Sequence, residues 1–176
     1  MNLQELIVDS IRRSTAEVFT TMLAVDLGEG LFSVENGSPA FNDGVVSFIG
    51  VAGLWAGTGS ISCSPALACR LCSLMLMADS IAVDEEVLDA VGELTNMVIG
   101  GVKTELETHL GPLGLSVPTV VFGRNFKAKS AGTTDWNVVR FQWEGETLLV
   151  KLCLAPTEKT GHPSLHPVGS SCALEV

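Results

Sequence analysis

The stretch "VGELTNMVIGGVKTELE" (Val91–Glu107) has apolar residues at helical spacing, yet carries Asn96 in mid-helix and three glycines, Gly92, Gly100 and Gly101. Asn competes with its own backbone for hydrogen bonds, and a helical Gly costs about 1 kcal/mol relative to Ala. Residues set about 100° apart around a helix separate into two faces. Val87, Leu88, Val91, Leu94, Val98, Ile99, Val102 and Leu106 form a core sector. Asp89, Glu93, Asn96, Gly100 and Lys103 lie opposite, with Ala90 and Met97 beside them. The spacing i, i+3 makes Glu93 and Asn96 neighbours on the outward face, with Cβ atoms about 5–6 Å apart. Gly100, one turn beyond Asn96, keeps that face low enough for another molecule to approach.

Working outward, Asp84 with Glu85 and Glu86 is a helix start, so the helix runs from there to about His109. Ser64–Pro65 starts an earlier helix, to about Met77, with a capping hydroxyl and Pro at the first position. Leu3, Ile7, Ile11, Val18 and Met22 give a third, N-terminal helix to about Ala24. "VVSFIGVAG" and "GSISCS" read as a hairpin around "LWAGT", "TVVFG" as a strand, and "VVRFQW" with "LLVKLCLA" as a second hairpin around "EGET". "LGEG" (Leu27–Gly30) and "ENGSPAFNDG" (Glu35–Gly44) read as turns and loop, and "GPLGLSVP" breaks the pattern. The order predicts an α+β domain over residues 1–156, with an antiparallel sheet packed against long helices. A Pro/Ser/Gly-rich tail is expected over 157–176. "AEVFTTML" in the first helix and "GELTNMVI" in the third, each ahead of a β-rich segment, suggest pseudo-repeated halves.

The chain of 176 residues is long enough for a sizeable core, and 47% hydrophobic against 17% charged residues exclude a disordered composition. A net charge of -10 argues against nucleic acid and anionic membrane surfaces as partners. Mean hydropathy of +0.40 raises the question of a membrane span. Between Asp43 and Arg70, Gly, Ser, Thr and Pro interrupt every apolar run, so none reaches the ~18 residues a span needs. The opening "MNLQELIVDSIRR" carries acids and no apolar signal region, which makes the cytoplasm the expected compartment.

Other signals are weaker. Cys63, Cys69 and Cys72 give C-x5-C-x2-C, but no second ligand pair at zinc-like spacing accompanies them. Cys69 and Cys72 fall on an apolar helix, where buried free thiols are common, so core packing is expected and no metal. His162 and His166 flank Pro163, which disfavours a helical metal pair. Trp55, Trp136 and Trp143 are expected to be core or dimer contacts. An E-x-x-N spacing recurs by chance, and its default meaning is a solvated helix face.

"DAVGELTNMVIGGVKTEL" (Asp89–Leu106) nevertheless resembles the signature helix of the CheC/CheX/FliY phosphatases of bacterial chemotaxis: Asp or Ser, three residues, Glu, two residues, Asn, and a later Pro. Asp89, Glu93 and Asn96 match, and Pro118 falls one residue short of the usual spacing. "FIGVAGLWAGTGSISCS" leading into "ALACRLCSLML", and the closing hairpin, extend the resemblance to roughly 3–155. The first helix has Glu17 but Thr20 where a second site would carry Asn, which points to the one-site, CheX-like branch.

The resemblance implies a CheC/CheX-like fold, a homodimer, and hydrolysis of the aspartyl phosphate on a CheY-like receiver domain. It implies no cofactor of the chain's own, because the receiver supplies Mg²⁺ and a Lys. In that reading Asn96 orients the attacking water, Glu93 pairs with the receiver's Lys, and Asp89, Gly100 and Lys103 form the rim. A solvated carboxylate is a weak base at neutral pH, which favours docking over general-base work for Glu93. The alternatives are a non-catalytic CheX-like dimer that binds a receiver or another signalling protein, and a thiol-based metal or redox protein.

Overall fold

The computed structural model describes residues 2–36, 40–127 and 135–157. Among these residues three helices, α1 (Leu3–Leu23), α2 (Pro65–Leu76) and α3 (Glu85–Leu110), pack on a seven-stranded sheet. The strands are β1 (Leu31–Glu35), β2 (Ala40–Gly53), β3 (Trp55–Cys63), β4 (Leu113–Leu115), β5 (Thr119–Lys127), β6 (Trp136–Trp143) and β7 (Glu146–Pro156). All pairings are antiparallel, in the order β1-β6-β7-β3-β2, with β4 and β5 in line along the outer side of β2.

The helix ends follow their sequence signals. Asn2 and Glu5 form a capping box at α1, the Ser64 hydroxyl accepts from the Leu67 N–H at α2, and the Asp84 carboxylate accepts from the Val87 N–H at α3. The second hairpin turns at Glu144 and Gly145, both with positive φ, which suits the right-handed twist of the strands it joins.

Two expectations need correction. A strand, β1, lies between the stretches read as turns, and β2 begins at Ala40, inside the second of them. "GPLGLSVP" contains β4, paired with β2 through Val51, Ala52 and Gly53. These segments become strands through partners distant in sequence: β1 takes its hydrogen bonds from β6. Of the tail expected over 157–176, Thr157 bonds to Leu54 and Gly53, and the rest, with His162 and His166, lies outside the described residues.

One core cluster fills the space between helices and sheet, built on Ile7, Ile11 and Phe19 of α1, Leu67 and Leu71 of α2, Leu94 and Ile99 of α3, and Ile61, Phe141 and Val150 of the sheet. A smaller cluster, Trp136, Val138 and Cys153, is separate from it. Trp55 and Trp143 pack against the main core, so all three tryptophans serve packing. The interrupted segment 44–69 forms the β2–β3 hairpin and the start of α2. Among the described residues, no helix is long and apolar enough to cross a membrane.

The two halves of the chain are interleaved. Pairing α1, β1, β2 and β3 with α3, β5, β6 and β7 makes the sheet order β1-β6-β7-β3-β2-β5 palindromic: exchanging the halves returns the same order. Each half lends its first strand to the other's hairpin, β1 to β6 and β5 to β2, and β3 meets β7 at the centre. This is the architectural form of the pseudo-repeat.

Candidate functional site

α3 is the central helix. Val87, Val91, Leu94, Val98, Ile99, Val102 and Leu106 are fully buried, as the wheel predicts. Ala90, set beside the outward sector in sequence, is also buried, because neighbouring elements wrap more of the helix than a single flat sheet would. Met97 is half-buried.

α1 crosses α3 closely. The Ser14 hydroxyl donates to the Val98 carbonyl at 2.6 Å, and Arg13 pairs with Glu105 at 2.7 Å. A Cβ on Gly101 would run into the Ser14 hydroxyl, so this glycine permits the crossing. On another side, a Cβ on Gly92 would lie 3.3 Å from Val120 Cγ2 and 3.9 Å from Pro118 Cβ. Gly92 thus lets the β4–β5 loop and β5 come up against the helix. The sequence gives no sign of these two separate causes.

Between those contacts the outward face stays open. Asp89, Glu93 and Asn96 are exposed, and the space over Gly100 is empty to 4 Å. Among the described residues, neither Glu93 nor Asp89 has an ion-pair partner, and the Asn96 carboxamide makes no hydrogen bond. The structure therefore brings Asp89, Glu93, Asn96 and Gly100 onto one solvent-facing ridge.

Lys103 sits differently. It is half-buried, and its ammonium lies 2.9 Å from Glu107, so its charge is met within the helix. Glu107 also accepts the Leu113 N–H at 2.8 Å. That backbone bond, then Lys103, holds its carboxyl below the usual glutamate range.

Pro118, one residue short by sequence spacing, lies against α3 one turn before Asn96. Its neighbour Val117 is 83% exposed, and nothing in the local sequence pattern marks it.

The ridge combines an acceptor-only carboxylate with a carboxamide that donates and accepts, on a helix fixed from several sides. That can hold a water and a cation on an incoming molecule, with no need for the right protonation state on the amide. Among the described residues, the cysteines offer no comparable site. Burial, with help from Glu146 and Cys69, pushes the Cys63 thiol up to about 12, and burial raises Cys69. Both are poor thiolate sources. Cys72 is buried and accepts from the Ser80 hydroxyl. Among the described residues, no group of three or more His, Cys, Asp or Glu is placed to hold a metal ion.

Residues 45–142 match the family model described as chemotaxis phosphatase CheX, a span that includes α3 and Pro118. Over 90 residues the chain is 39% identical to the CheY-P phosphatase CheX of Thermotoga maritima, covering 50% of this chain and 57% of that protein, less than two thirds of its length. A CheC-like superfamily protein from Shewanella sp. PV-4 superposes with a TM-score of 0.76 at 28% identity, covering 88% of this chain and 99% of that one. The CheX chain of a CheX–CheY–BeF3–Mg²⁺ complex from Borrelia burgdorferi shares the fold with a TM-score of 0.69 at 19% identity, covering 84% and 97%.

Proposed function

The chain belongs to the CheX family of chemotaxis phosphatases, and from that premise we propose that it hydrolyses the aspartyl phosphate of a CheY-like receiver domain. One observation carries the reading: Glu93 and Asn96 stand exposed, three residues apart, on a helix held rigid by the core, with open space above Gly100. The relative from Thermotoga maritima is named for this activity, and the relative from Borrelia burgdorferi is described as bound to CheY.

The chemistry asks little of this chain. A water oxygen attacks phosphorus in line, the bond from phosphorus to the aspartyl carboxylate oxygen breaks, and the carboxylate leaves with the electron pair. The water's protons pass to phosphate and solvent. Charge on the phosphoryl oxygens is met by the receiver's Mg²⁺ and Lys, as the family resemblance implies. Asn96 then holds the water on the attack line, an orienting task worth on the order of 10²-fold when lost. Glu93 accepts from the receiver's Lys and sets the docking register. Asp89, Gly100 and Lys103 are proposed as rim. The active domain is placed at residues 1–156, acting in the cytoplasm as a homodimer.

The test is decay of phosphate from receivers of the same organism with catalytic amounts of the full chain. Acceleration that disappears in folded Asn96→Ala supports the proposal. Binding with no acceleration leaves a non-catalytic module instead.

A further inference from the structure

The Glu93–Asn96 ridge has an apolar flank along the β4–β5 edge. Val117 is 83% exposed and Phe122 51% exposed. Their placement follows from the packing of Gly92 against Pro118 and Val120. Val117 is the residue before Pro118, whose Cβ would lie 3.9 Å from a Cβ on Gly92, so it belongs to the segment that meets α3 one residue before Glu93. Phe122 lies two residues beyond Val120, on the same side of β5 and about 6–7 Å along the strand. The C-terminal half of α3, at Val102 and Leu106, lies over Val51 and Leu113, while Gly92 lies over Val120. Moving from Val51 toward its pairing level at Val45, where Phe122 sits, therefore moves toward the N-terminus of α3 and Asp89.

The charge on the helix points the same way. In its C-terminal half, Glu105 and Glu107 are met by Arg13 and Lys103. Asp89 and Glu93 in the N-terminal half have no ion-pair partner among the described residues. The open charge lies where the apolar flank lies. A partner that brings a cation to Glu93 arrives one residue along α3 from Gly92, where the Val117–Pro118 segment packs.

We infer that Val117 and Phe122 form the apolar half of the docking surface for the phosphorylated receiver, and set its affinity and choice. This rests on the receiver-phosphatase reading of the same ridge. The partner it fits carries a cation beside the acyl phosphate and an apolar side chain next to that cation. Val117 touches neither phosphate nor water, so it acts on association, while Asn96 acts on the chemical step.

The experiment is steady-state hydrolysis by the full chain on CheY-like receivers of the same organism, phosphorylated with acetyl phosphate. It is paired with calorimetric binding to the same receivers activated with beryllofluoride. Val117→Asp is expected to raise KM and Kd about tenfold and leave kcat within about twofold. Phe122→Ser is expected to act in the same direction, and Val117→Ile to behave as the parent. Met22→Asp puts the same charge on an exposed apolar site of α1 and is expected to change neither constant. Unchanged KM and Kd in both flank variants, or an equal rise in Met22→Asp, would overturn the inference. If the parent binds receivers without hastening phosphate loss, and Val117→Asp weakens that binding, the phosphatase reading fails and the surface stands. Hydrolysis unaffected by either flank variant gives the reverse. A parent that binds no receiver overturns both.

Discussion

Asn96 is exposed in a helix interior, and its carboxamide makes no hydrogen bond among the described residues. Local stability gives no reason for an Asn there, so replacing it is expected to help folding and harm function. Asn96→Ala should raise unfolding free energy by about 0.5 kcal/mol, from helix propensity alone. The same change should slow receiver dephosphorylation on the order of 10²-fold. Urea denaturation and phosphate decay on one preparation check both, and a stability loss would show a structural role for the amide. The nearby glycines divide by their surroundings. Gly100→Ala enters open space and should stabilise by about 0.5–1 kcal/mol. Gly101→Ala must displace Ser14 from its bond to Val98, and should cost about 1–3 kcal/mol in the same titration. The ridge was legible in the sequence because the wheel depends on α3 alone. The separate needs of Gly92 and Gly101 were not, because β5 and α1 impose them from 28 and 87 residues away in sequence (Gly92 to Val120; Ser14 to Gly101).

At the scale of elements, the same division recurs. α3 was legible because its periodicity, the Asp84 cap and the acids of its first turn agree. β1 and β4 were not, since they are short and their flanking sequence is rich in Gly and Pro, and their backbone bonds go to strands remote in sequence. The end of α3 shows how one such connection is secured. Glu107 accepts the Leu113 N–H and pairs with Lys103, tying the helix to the start of β4. Its carboxyl is held below the usual range, so the folded state favours the ionised form. The resulting stability is fully present above the ordinary glutamate value of about 4.3, and is lost as pH falls through the lower folded-state value. Glu107→Gln should therefore unfold at lower urea than the parent at neutral pH. The gap should close in acid, as the parent's own carboxyl protonates. Denaturation midpoints taken from neutral to acid pH read this directly, and a gap that is constant with pH would assign the effect to packing.

At the scale of the molecule, the palindromic sheet determines how the chain comes apart. A repeat was visible in "AEVFTTML" and "GELTNMVI", but the exchange of β1 and β5 between halves was not, because short matches carry no pairing information. That exchange means neither half owns a complete sheet: removing one half strips β6 of β1, or β2 of β5, and in both cases separates β3 from β7. α1 and α3 meet through the buried Ser14–Val98 bond, and both pack on the one core cluster. Local unfolding of either half would expose that shared core, so the two halves should melt together. The tryptophans report on both, with Trp55 on β3 in one half and Trp136 and Trp143 on β6 in the other. In single-tryptophan variants made by Trp→Phe replacement, the fluorescence transitions in urea are expected to share one midpoint within each variant with its own far-UV circular dichroism. A Trp55 transition displaced from the dichroism midpoint would show that the first half unfolds separately, and would contradict the interleaved sheet as the unit of stability.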